Sequence, residues 1–126
     1  MDDLAEWLRV QLDEDERIAR ATHPVFLAWE YDHCVREIRD LGNGNEIASV
    51  ILPRYGEHMA EWDPERALRE IDAKRQLLAI HRRYVDEPDQ ACLGCAGGIE
   101  WVSCPVVRTV AAVYADRPGY KESWRP

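Results

Sequence analysis

A chain of 126 residues suits one domain with a modest core, and a composition 46% hydrophobic and 32% charged belongs to a chain that folds. Twenty-four acidic side chains against sixteen Lys and Arg give a formal net charge of −8, which disfavours general binding to nucleic acid or anionic membranes. No apolar run reaches the roughly 18 residues of a spanning helix, and "MDDLAEWLRV" lacks the features of a secretory leader. The expectation is a soluble cytoplasmic protein, with its four cysteines as reduced thiols or metal ligands.

Residues 3–21 read as a helix. Leu4, Trp7, Leu8 and Leu12 recur at spacings of three and four, Ile18 and Ala19 continue the face, and the acidic run at 13–16 falls mostly on the solvated side. His23-Pro24 ends it, because proline disfavours helical geometry in the residue before it. Residues 25–52 read as a β-hairpin: Phe26, Leu27, Trp29, Tyr31, Val35 and Ile38, then a "GNGN" turn at 42–45, then "IASVIL". A two-stranded ribbon is marginal alone and must lay its apolar face on helices.

A second helix is announced by Asp63 as N-cap, Pro64 in the first position and Glu65 near the positive end. It continues through "ERALREIDAKRQLLAIHRRY", with Ala67, Leu68, Ile71, Leu78 and His81 along one side and Leu77, Ile80 and Tyr84 widening it. Glu65/Arg69 and Glu70/Lys74 form acid-first pairs on the outer face, and the acidic, proline-containing stretch 86–89 breaks the helix. Beyond it, Pro105 can open a short third helix with Val106, Val107, Val110, Val113 and Tyr114 inward, although valine and threonine suit a strand as well.

Between these helices lies "ACLGCAGGIEWVSCP". Tetrahedral zinc takes four soft or borderline ligands, and Cys92 and Cys95 supply two from one tight turn, with Gly94, Gly97 and Gly98 letting the backbone bend. Cys104, after eight intervening residues, sits at a helix start where the dipole favours thiolate. For the fourth position His81 is the best candidate, near the end of the second helix and ten intervening residues before Cys92; Cys34, delivered by the hairpin, is second and His58 third. The competing readings are reduced thiols in a glycine loop, a redox pair, and an iron–sulfur cluster, which would most simply recruit Cys34. His81 can instead cap the end of its helix, while His23 and His33 read as turn or surface residues. Trp101, Tyr120 and Trp124 either pack over a small core or form a partner-binding patch.

No glycine-rich phosphate loop, H-E-x-x-H, G-x-S-x-G, or H-x-E followed by P-C-x-x-C is present, so no catalytic residue is assigned and an enzyme is not expected.

Three stretches, "MDDLAEWLRVQLDEDERIAR", "DPERALREIDAKRQLLAIH" and "SCPVVRTVAAVYADRPGYKESWRP", resemble a family of small actinobacterial and actinophage proteins that is a domain of unknown function. The similarity spans nearly the whole chain. It implies the ligand set His81, Cys92, Cys95 and Cys104, without Cys34, and it implies no activity.

The expected fold is α+β in a single domain, 1–126. A helix–hairpin–helix part occupies 1–85, and a Cys-rich, zinc-clamped subdomain with a short helix and an aromatic tail occupies 86–126. The expected function is that of a non-enzymatic interaction or regulatory module with zinc as cofactor and an unknown protein partner. The alternatives are a thiol or iron–sulfur redox sensor, which predicts use of Cys34, and a DNA-binding regulator, which predicts a basic stripe.

Overall fold

The amphipathic first helix forms with Leu4, Leu8, Leu12 and Ala19 buried, while Ile18, expected on the same face, is 50% exposed, and the chain is α+β. The computed structural model describes residues 3–87 and 89–126. In chain order these are α1 (Asp3–Ala21), β1 (Trp29–Asp32), β2 (Glu37–Asp40), β3 (Glu46–Ser49), α2 (Pro53–Glu61), α3 (Pro64–Ile80) and α4 (Pro105–Ala112), with short 3-10 turns at Trp101–Ser103 and Glu122–Trp124. Two compact units result: residues 1–14 with 72–126, and residues 15–71.

The unit of residues 15–71 carries an antiparallel sheet in the order β1-β2-β3. Where the sequence suggests one long strand before the glycine turn, the structure has two. Asp32 causes the break: its Oδ1 accepts the Cys34 N–H at 2.9 Å, Arg36 takes a left-handed φ of 55°, and β2 returns with Asp32 opposite Glu37. Asp40 makes the next turn, its Oδ1 accepting from the amides of Gly42 and Asn43 at 2.8 and 3.2 Å. Ile38 is fully buried in the middle strand. Helix α2, absent from the sequence reading, begins at Pro53 and packs on β1 and β2. Asp63 caps α3 by accepting the Arg66 N–H at 2.8 Å, and its second oxygen accepts the Trp29 N–H at 3.0 Å. Trp62, just ahead of that cap, is 51% exposed, with the Arg66 guanidinium 3.9 Å above its ring.

In the unit of residues 1–14 and 72–126, Leu4, Leu8 and Leu12 are buried together with Val107, Val110, Ala111 and Tyr114. The 105–112 segment is a helix: Pro105 starts it, and the Arg108 N–H bonds to the Cys104 carbonyl at 3.0 Å. Trp7 anchors the tail, donating from Nε1 to the Pro118 carbonyl at 2.9 Å and packing at 5.7 and 5.3 Å from the Tyr120 and Trp124 rings.

Helix α3 stops at Ile80, four residues short of the apolar pattern, which leaves Ile80 and Tyr84 60% and 82% exposed. The tertiary contact that wins is at the helix end, where the chain turns so that the Arg82 carbonyl receives the Leu93 N–H at 2.8 Å. Of the expected surface pairs, Glu65–Arg69 forms at 3.6 Å, while Glu70 pairs with Arg66 and Lys74 donates to the Tyr114 hydroxyl. Among the described residues, no helix is long and apolar enough to cross a membrane.

Candidate metal centre

Release of the chain from α3 brings His81 to the cysteines. The stretch 91–100 folds into a small knuckle in which Ala91 bridges Glu100 and the Cys92 N–H bonds to the Ile99 carbonyl at 2.8 Å. Gly97 and Gly98 turn its tip with φ of 82° and 71°, a conformation that suits glycine. The Cys95 N–H reaches back to the Cys92 carbonyl at 3.3 Å, so both thiols project from one turn. Gly94 gives them clearance: a Cβ there would lie 2.7 Å from the Ile80 carbonyl oxygen and 2.8 Å from His81 Nδ1. Cys104 arrives from the other side as the residue capping α4.

The four ligand atoms lie within 4.8 Å of one another. His81 Nδ1 is 3.5 Å from Cys92 Sγ, 3.5 Å from Cys95 Sγ and 3.4 Å from Cys104 Sγ, and Cys95 Sγ is 3.5 Å from Cys104 Sγ. A tetrahedral ion with zinc's bond lengths sets sulfur–nitrogen edges of about 3.6 Å and sulfur–sulfur edges of about 3.8 Å. The donor set and its spacing therefore fit one tetrahedral ion of zinc's size, bound by three thiolates and an imidazole.

The surroundings hold this geometry. Cys104 is fully buried and Cys92 2% exposed. Trp101 Nε1 donates to the His81 carbonyl at 2.8 Å, fixing the peptide that carries the imidazole, and the Arg83 guanidinium stacks 4.3 Å above the Trp101 ring. Loss of hydration pushes the Cys95 thiol up to about 12, reinforced by hydrogen bonds to Cys104 and Cys92 and by like-charge repulsion from them. A divalent ion held between the sulfurs would reverse that balance for Cys95 and displace its proton.

The residues expected to bind metal are thus brought together, and the other candidates stand elsewhere. Cys34 is exposed in the turn between β1 and β2, with its sulfur 3.7 Å from His33. His58 lies in α2 with its ring 5.9 Å from Trp62, and His23 Nδ1 accepts the amides of Val25 and Phe26. The partner-facing role considered for Trp101, Tyr120 and Trp124 finds little open ring: Trp101 and Trp124 are 5% and 9% exposed, and Tyr120 is half-buried against Trp7. Aromatic content could not separate packing from docking, because Trp serves both. Glycine between the two cysteines was the legible signal for Gly94; the Trp101–His81 bond carries no sequence signal.

Over residues 1–126 the chain matches the family described as "Family of unknown function (DUF6221)", and it belongs to that family. No curated protein and no solved structure matches it.

Proposed function

We propose that this member of the DUF6221 family is a cytoplasmic, zinc-stabilised, non-enzymatic interaction or regulatory module, in which His81, Cys92, Cys95 and Cys104 hold one Zn²⁺. The observation that carries the reading is the convergence of four ligand atoms at tetrahedral spacing around one point. Four protein donors close the coordination sphere and leave no position for a reacting water, which is the pattern of structural rather than catalytic zinc. The ion's work is mechanical. It ties the end of α3 to the start of α4 and to the glycine-rich knuckle, where Gly94, Gly97 and Gly98 supply no side chains for a core. Reduced thiolates are required, which is the reason for the cytoplasmic assignment. Placement of Cys34 outside the cluster removes the fourth thiolate that an iron–sulfur sensor would use most simply. The net charge of −8 disfavours a DNA-binding regulator.

Protein purified without added metal and without oxygen tests the reading. About one zinc per chain and a colourless solution are expected. Brown colour with bound iron would replace the proposal with a redox role, and a folded protein free of any metal would end it.

A further inference from the structure

The unit of residues 1–14 and 72–126 contains a cleft of about 390 Å³, within the roughly 300–1,000 Å³ of small-molecule sites. Its lining comes from the first half of α1, the second half of α3 and the chain that follows α3. Leu78, Ala5 and Ala79 give it open apolar surface, while Leu8, Leu12 and Trp101 in its wall are nearly buried. Four arginines line it as well, against two aspartates, in a chain whose acids outnumber its bases by 24 to 16. That local reversal of charge sets the cleft apart from the chain as a whole.

The cations are built into the structure unequally. Arg83 is 2% exposed along its side chain; it donates to Asp86 at 2.9 Å and to the Glu87 carbonyl at 3.1 Å while stacking on Trp101. Asp86 also takes Arg9 at 2.9 Å, and Asp13 takes Arg75 at 2.9 Å. Arg82 differs. Its carbonyl is fixed by the Leu93 N–H, yet its exposed guanidinium has no hydrogen-bond or ion-pair partner among the described residues.

We propose that this cleft binds a small amphiphilic anion, with a compact hydrocarbon body against Leu78, Ala5 and Ala79 and one carboxylate or sulfonate group paired with Arg82. The apolar surface selects the body, and Arg82 offers the planar donor fork that such anions accept. A single negative charge is favoured over a polyanion. Asp13 and Asp86 already pair with the neighbouring arginines and would repel further negative charge. The cleft's volume suits a small molecule rather than the extended face of a protein partner. The proposal goes beyond the structural role given to the metal and does not depend on which metal is bound.

Fluorescence titration of the full chain as purified tests it, with anilinonaphthalene sulfonate as the anionic probe and phenylnaphthylamine as the same body without the charge. One saturable site is expected, with the sulfonate binding about tenfold more tightly than the neutral probe. Arg82→Glu should abolish that preference and leave the neutral probe's affinity unchanged, while Arg82→Lys keeps most of it. Arg82→Gln carries the same test at smaller amplitude if charge reversal disturbs folding. Equal binding of the two probes, several weak sites, or undiminished sulfonate binding by both Arg82→Glu and Arg82→Gln would overturn the proposal.

Discussion

Within residues 15–71 the turns are shaped by carboxylates acting over short distances along the chain. Asp32 receives an amide two residues away, Asp40 receives amides two and three residues away, and Asp63 caps its own helix by receiving an amide three residues away, although its second oxygen also takes the Trp29 amide, 34 residues distant. Within residues 81–126 the turns are shaped by ligands that have to meet at one point, and the outermost pair, His81 and Cys104, is 23 residues apart. A carboxylate turn is a local device that fails by itself, whereas a four-ligand centre fails as a unit when any member is lost. The two regions should therefore respond to different insults, and substitutions can separate them.

The largest effect is expected from the metal ligands. Cys92→Ser or Cys104→Ser should abolish metal binding and cost more than about 3 kcal/mol, with loss of hydrogen-exchange protection across 81–126 and little across 15–71. Cys34→Ser should stay within about 0.5 kcal/mol and keep the metal. If Cys34→Ser strips the metal while His81→Ala retains it, the ligand assignment is wrong.

Gly94→Ala tests clearance rather than ligation. Its Cβ meets the Ile80 carbonyl and the His81 ring, so a loss of about 1–3 kcal/mol is expected. Metal affinity should fall at unchanged stoichiometry, read by competition with a chelator. Wild-type affinity would show that the knuckle shifts freely.

In the other region, Asp63→Ala removes the acceptor for two amides and should cost about 1–2 kcal/mol. Asp63→Asn should recover much of that, and metal content should not change in either. Loss of metal in Asp63→Ala would erase the separation between the regions.

The smallest effect concerns Asp86. Hydrogen bonding to Arg9, with a further contribution from Arg83, holds its carboxyl below the usual value of 3.8. A lowered carboxylate favours the folded state above the unfolded value, and that contribution disappears as pH falls through the lower folded value. Asp86→Asn should remove this acid dependence. Because the carboxylate is largely exposed, the change should be under about 0.5 kcal/mol and shrink with added salt, as acid titration of thermal stability would show.

The starts of α3 and α4, the acidic and apolar faces of α1, and the cysteine pair were legible because capping, periodicity and ligand chemistry are properties of neighbouring residues. His81 ranked ahead of Cys34 and His58 because it stands near the end of the second predicted helix, ten intervening residues before Cys92, and the resemblance strengthened that order. The division of the first long strand was missed because the Asp32 turn lay hidden inside an apolar run. Helix α2 was missed because "PRYGEHMAE" is only nine residues long, holds Gly56, follows Leu52, which offers no side-chain cap, and has no acidic first turn.

Short stretches of sequence were enough for an acidic α+β chain, for three of the four α-helices among the described residues, and for the residues able to bind a metal. Each of those rests on steric, capping or ligand preferences carried along short stretches. The tertiary structure alone decided that α3 ends at Ile80, that Lys74 turns to Tyr114 rather than Glu70, that Trp101 and Trp124 are buried, and that four arginines gather at one cleft. Those outcomes depend on groups far apart in the chain, where closing a ligand set or covering an aromatic ring outweighs the weak preference of one more helical turn or one exposed ion pair.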